Sequence, residues 1–183
     1  KSGTAVETRG LDLLDGFFAV FARNMRDLGT PVYGRDLFQR MLETFPEDVK
    51  IHVARLNGAV IAGAISYTYG HVIEVPSASS LREHRALCPN HLLYWHMIRS
   101  AIEQGLHTFD FGRSTPKDGT YQFKEQWGAG CEQLWWEYAL ADGRDLPTLD
   151  RGDSKFKLSI EAWKRLPLPV ATFIGPSIVR AVP

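Results

Sequence analysis

Asn57-Gly58 stands between two runs in which apolar residues recur with a period of two. Ile51 and Val53 alternate with His52 and Ala54 ahead of the pair, and a second run from Ala59 to Tyr69 follows it. A two-residue link needs left-handed backbone at its centre, which Asn and Gly accept at little cost, so the pair predicts a tight hairpin. Upstream the period is helical. Leu11, Leu14, Phe18, Phe21, Met25 and Leu28 recur at three- and four-residue steps and line one face of a helix that Gly29 ends. Leu37, Phe38, Met41, Leu42 and Phe45 form the face of a second helix, which Pro46 stops. A chain that passes from two helices into a hairpin has to layer helices on a sheet.

Gly70-His71 turns the chain into a third strand, Val72 to Val75, and a polar loop follows from Pro76 to Pro89. Asn90 is suited to cap a helix with the inner face Leu93, Tyr94, Met97, Ile98, Ala101 and Ile102, closed by Gly105. A short strand through Phe109 to Phe111 leads to a charged loop and a short helix around Tyr121 to Trp127. Leu134, Trp136, Tyr138 and Leu140 alternate as a last strand facing the core, with Trp135 on its other side. An amphipathic helix covers Ser154 to Leu166, and the tail to Pro183, interrupted by Pro167, Pro169, Gly175 and Pro176, reads as a docked segment. The order is two helices, three strands, helix, strand, helix, strand, helix: a mixed α/β (α+β) layer arrangement.

At 183 residues, 44% of them hydrophobic, the chain fills one core and is too short for two large domains. Twenty-one basic residues balance twenty-one acidic ones, so nucleic acid or an anionic membrane would have to use a local patch. Cys88 and Cys131 have no ligand spacing and read as two core thiols in a reducing compartment. No uninterrupted apolar run is long enough to predict a membrane-spanning helix. A cytoplasmic protein is the expectation, with contact between the apolar tail and a membrane surface as a second option. The start at Lys1, with neither Met nor a signal-like run, suggests a piece of a longer protein.

The residues with chemistry cluster late. Phe109-Asp110-Phe111-Gly112-Arg113 is followed by Phe123-Lys124 and Trp127-Gly128. Charges beside apolar strands and turns must be paired, solvated or used. Asp110 can take a proton from an attacking amine, hold Lys124 or Arg113, or close a strand end. Arg113 suits an anionic group through its planar fork, or pairs with Asp110 or Glu74. Tyr121 and Tyr94 can offer hydroxyls to a pocket or belong to the core. Glu74 ends a strand and is a candidate base. The Ser77 to Ser80 and Arg82 to Arg85 stretch fits either an anion or open solvent. His91 and His96 share a helix without a carboxylate partner, so no metal site is expected.

Together with Pro89-Asn90-His91-Leu92-Leu93-Tyr94-Trp95, the motifs Phe109-Asp110-Phe111-Gly112-Arg113 and Tyr121-Gln122-Phe123-Lys124-Glu125-Gln126-Trp127-Gly128 resemble the FemAB-like branch of the GNAT superfamily. The likeness is greatest to the subgroup associated with exosortase and exopolysaccharide systems. It implies a GNAT-like fold in which the strands flanking the central helix splay apart around the acyl-transfer site. It further implies the second of two tandem domains, an upstream GNAT-like domain, and amide formation on an amine of a cell-envelope or exopolysaccharide precursor. Aminoacyl-tRNA is the donor of the best-known members. The position matching Lys124, beside Phe123, is held there to stabilise the oxyanion or the leaving ribose, which agrees with the need for a fixed cation where negative charge develops.

Two departures bear on the donor. GNAT acetyltransferases hold the coenzyme A pyrophosphate on a Gly-rich turn before the central helix. Here that stretch, Arg82 to Asn90, has no glycine, which argues against acyl-CoA bound in the usual way. No segment is long enough for the helical arm of tRNA-dependent members, and the balanced charge argues against tRNA. Acyl-CoA and aminoacyl-tRNA thus both stay open, as does an inactive GNAT-like module that binds a glycan precursor or protein.

Overall fold

The computed structural model describes residues 3–135, 137–140 and 154–181. Among these residues five strands form one sheet in the order β1-β2-β3-β4-β5: β1 Thr4–Arg9, β2 Val49–Leu56, β3 Ala59–Tyr69, β4 Val72–Ser80 and β5 Thr108–Asp110. The helices are α1 Leu14–Leu28, α2 Arg35–Thr44, α3 Pro89–Glu103, α4 Gly119–Glu125, α5 Ser154–Lys164 and α6 Leu168–Ala181. β1 to β4 pair antiparallel and β5 joins β4 in parallel, so the sheet is mixed. The chain divides into two compact units, Lys1–Gly112 with Ile160–Pro183, and Arg113–Ser159.

The first unit is built around the hairpin. Asn57 and Gly58 take φ of 50° and 86°, the left-handed pair expected of a two-residue link, and β3 runs over the predicted residues. Ile51, Val53 and Ile65 project from one sheet face into a cluster with Leu14, Phe17, Phe21, Phe38 and Leu42 of α1 and α2. Within it the Phe17 and Phe38 rings meet edge-on with centroids 5.2 Å apart, and Phe21 meets Phe38 at 5.1 Å. Gly63 lets α1 approach the sheet: a Cβ there would lie 3.0 Å from Phe17 Cδ2. Residues of opposite parity, His52 and Ser66, face the side of His96 on α3. α1 ends as predicted, with Gly29 at φ 82° and its N–H donating to the Arg26 carbonyl at 2.9 Å.

Several expectations are corrected. β1 was not foreseen. The buried face of α1 is Leu14, Phe17, Val20 and Phe21, whereas Leu11 and Leu28 are exposed; on α2 only Phe38 and Leu42 are buried. β4 does not stop at Val75 but continues through the serines to Ser80. Asn90 lies inside the first turn of α3, whose capping position is Cys88, and Ile102 is exposed. Cys88 and Cys131 are unpaired, but both are exposed and neither belongs to the core. Leu134, Tyr138 and Leu140 lie in irregular, exposed chain and form no strand; Trp136 lies outside the described residues. The tail is a regular helix, α6, with Pro176 inside it. None of the described helices is long and apolar enough to cross a membrane.

Candidate active site

β4 and β5 share three register pairs, ending at Glu74 and Asp110. β5 stops there, while β4 runs on to Ser80. At the same level Tyr67 faces Glu74 and Ile65 faces Ser77, so Val75 and Pro76 together stand opposite Ser66. This extra residue is a β-bulge, and Pro76, which has no N–H to give a ladder, suits it. Gly112 leaves β5 against the bulge at φ 68°, where a Cβ would sit 3.4 Å from the Val75 carbonyl oxygen. The two strands therefore part, and beyond Glu74 the β4 edge has β3 on one side and no described strand on the other.

Tyr67, Glu74 and Asp110 form one row across β3, β4 and β5. The Tyr67 hydroxyl donates to Glu74 Oε2. Burial, and then the Glu74 hydrogen bond and the nearby carboxylates, push the Tyr67 phenol up to about 12, so it stays a donor. The Gly112 N–H donates to Asp110 Oδ1 at 2.7 Å, which ties the turn out of β5 to that carboxylate. Glu74 is half-buried and Asp110 is exposed. Two carboxylates thus flank the point of parting, one of them oriented by a phenol. Phe109 and Phe111 contact Tyr94 of α3, Phe111 stacking on it with centroids 5.5 Å apart. Tyr94 is 5% exposed and its phenol is pushed up to about 12 by burial, so it belongs to the core and not to a pocket rim. Two open hollows on this unit, lined by His96, Arg99, Ser100 and Glu103 and by α1 with Val60, Leu81 and Leu168, include neither Glu74 nor Asp110.

Arg113, Tyr121, Phe123 and Lys124 belong to the second unit. Its short helix α4 carries Lys124 in the last turn, half-buried, with Nζ donating to the Arg113 main-chain oxygen at 2.8 Å. Phe123 meets Trp127 at 6.2 Å, so the lysine has aromatic neighbours on its own helix and the turn after it. Tyr121 is half-buried and Arg113 exposed. The predicted residues thus fall into two sets, Glu74 with Asp110 and Lys124 with Arg113, each joined within its own unit.

The stretch ahead of α3 is a 3-10 turn, Arg82–Leu87, then Cys88 at φ 48° and Pro89. Cys88 adopts the backbone that a glycine would take, while Pro89 removes one N–H from the helix start. Arg82 donates to the Asp27 carbonyl and Glu83 pairs with Arg23 at 2.9 Å, so part of this turn is held by α1. Among the described residues no group of His, Cys, Asp and Glu is arranged to hold a metal ion.

Sequence reasoning missed a buried polar chain on the α3 side. Thr8 Oγ1 lies 2.7 Å from His52 Nδ1 and 3.0 Å from His96 Nε2, and His52 Nε2 lies 2.8 Å from Ser66 Oγ. Burial and then His96 lower the His52 pKa to about 3, and burial lowers that of His96. His52 is therefore a neutral core imidazole whose two nitrogens are both satisfied. Nothing local marks it, because Thr8 and His96 are distant in sequence. Tyr67 was missed although the regular register on the turn side of the bulge, with Tyr69 facing Val72 and Thr68 facing Ile73, sets it opposite Glu74; the two-residue Gly70-His71 turn was the available signal.

The model of a family described as "Acetyltransferase (GNAT) domain" matches residues 3–125. A search of curated proteins finds no match. Among solved structures, an aminoglycoside acetyltransferase from an uncultured soil metagenomic sample, in complex with sisomicin, aligns with TM-score 0.61 at 13% identity, over 76% of this chain and 97% of that one. A ribosomal-protein-alanine N-acetyltransferase from Brucella melitensis biovar Abortus 2308 aligns at 0.60 and 14% identity, over 76% and 99%. The aminoglycoside N-acetyltransferase AAC(6')-Iy in complex with CoA aligns at 0.56 and 14%, over 78% and 97%. At such identities the likeness is one of fold, and it agrees with the mixed sheet flanked by helices. With the family model covering more than half of its length, the chain belongs to the GNAT acetyltransferase-domain family.

Proposed function

We propose that this chain is a FemAB-like acyl or aminoacyl transferase that forms an amide on an amine of a cell-envelope or exopolysaccharide precursor. The observation that carries the reading is the parting of β4 from β5 at the Val75-Pro76 bulge, with Glu74 and Asp110 at its mouth. The amine attacks the acyl carbonyl; its proton goes to a carboxylate, and the leaving group departs as the oxyanion collapses. Glu74, half-buried and oriented by Tyr67, takes the proton in this reading, with Asp110, exposed and tied to the Gly112 N–H, as the alternative. Lys124 supplies the cation for the oxyanion or leaving group, with Phe123 beside it and Arg113 and Tyr121 as substrate contacts. The three motifs carried by residues 89–95, 109–113 and 121–128 support this assignment. The glycine-free turn before α3 favours a donor other than acyl-CoA.

An acetyl-CoA-dependent N-acetyltransferase is the second reading, favoured by the fold and by the left-handed Cys88, which can replace a turn glycine. A transfer assay with acetyl-CoA and with charged tRNA, on wild type and Lys124→Ala, separates the two. Transfer from tRNA that is lost in Lys124→Ala supports the first reading; saturable transfer from acetyl-CoA supports the second. No transfer or binding with either donor leaves the inactive, precursor-binding module as the better description.

A further inference from the structure

The α6 surface has no part in the chemistry described so far. α6 lays its small residues inward: Ala171 is fully buried, and a Cβ on Gly175 would come within 3.0 Å of the Val32 backbone. Its opposite side is bare, with Phe173 84% exposed and Val170 42%. A phenylalanine so far out of the fold contributes nothing to packing and leaves a large apolar surface in water. Charge accompanies it. Residues 160–181 hold three basic residues and one acidic one, while the whole chain is neutral. Lys164 is paired with Glu161 at 2.6 Å, but Arg165 ahead of α6 and Arg180 in its last turn are exposed. At about 21 Å long, a 14-residue helix falls short of a hydrocarbon core of roughly 30 Å.

We propose that the outer face of α6 seats this protein on an anionic lipid surface, Phe173 and Val170 entering the headgroup–acyl boundary and Arg165 and Arg180 meeting lipid phosphates. An apolar stripe framed by cations at both helix ends matches such a surface in polarity and in sign. A second copy of the same chain would bring cation against cation, so the charge favours lipid. Docking places the transferase where a membrane-bound acceptor would be found, but it requires neither the donor nor the acceptor proposed above.

The test is vesicle co-sedimentation of the full chain with phosphatidylcholine vesicles, with and without phosphatidylglycerol, beside light scattering of the protein alone. Binding should require phosphatidylglycerol, fall with added salt, and drop at least tenfold in Phe173→Asp. Arg165→Gln and Arg180→Gln should each weaken it on the order of fivefold. All three variants should keep the wild-type melting temperature and transfer to a water-soluble amine, which separates this outcome from failure of the acyl-transfer reading. Should Phe173→Asp fold poorly, Val170→Ser with the arginine variants carries the same test. Absence of binding, equal binding to both vesicle types, or a Phe173-dependent dimer in light scattering would overturn the proposal.

Discussion

The proposed reaction asks opposite electrostatic work of Glu74 and Lys124, one taking a proton and the other facing an oxyanion, and each has a different hydrogen-bond partner, the Tyr67 hydroxyl and the Arg113 carbonyl. Glu74 receives the Tyr67 hydroxyl, so Tyr67→Phe should leave the carboxylate in place but less well oriented. The expected result is a lowered kcat with little change in KM; a pure KM effect would assign Tyr67 to substrate binding. Lys124→Ala should lower transfer on the order of 10²–10³-fold, the loss seen when a donor to a developing oxyanion is removed. Its hydrogen bond to the Arg113 carbonyl makes a stability loss of about 0.5–1.5 kcal/mol the expected accompaniment in denaturant unfolding. A larger loss of stability with activity intact would make the lysine structural.

The elements were legible where local chemistry agrees with tertiary demand. Asn57-Gly58 could serve only as a tight link, and Gly29 and Pro46 end helices wherever they are packed. Thr4–Arg9 escaped notice because an edge strand with Ala5 and Val6 as its apolar content has little period to read. The extension of β4 was hidden by Pro76, which marks a bulge here and not a loop. α6 was hidden by Pro176, whose missing N–H a helix tolerates at one position. The Thr172 hydroxyl, bonded back to the Leu168 and Pro169 carbonyls, lies one turn before it. The candidate site was half legible: Lys124 and Asp110 stand out by type and motif, and the Tyr67–Glu74 pair follows from counting back from the Gly70-His71 turn, but the parting of β4 from β5 goes with the bulge beyond that pair. At this scale the α1–sheet contact is the most sensitive. Phe17→Ala should cost about 3–5 kcal/mol, and Gly63→Ala, pressing a methyl on Phe17, about 1–3 kcal/mol, both read from the denaturant midpoint.

For the whole molecule, the buried His52 couples stability to pH. Its folded pKa, about 3, lies below the unfolded value of 6.5, so between these limits the unfolded chain holds a proton that the folded chain does not. Stability is complete above the unfolded value and declines as pH falls toward the folded one, with about 2 kcal/mol gone by pH 5. Thermal melts at pH 7 and 5 should differ, and His52→Gln should narrow that difference; an unchanged difference would place the acid sensitivity elsewhere. In the proposed reaction the chemistry sits where β4 and β5 part beyond Glu74 and Asp110. Amide-resolved NMR during titration with whichever donor supports transfer tests this most directly. Shifts concentrated in residues 74–80 and 110–112, with the Asn57-Gly58 hairpin silent, are the predicted result. Shifts confined to other surfaces, with the β4 edge unmoved, would contradict it.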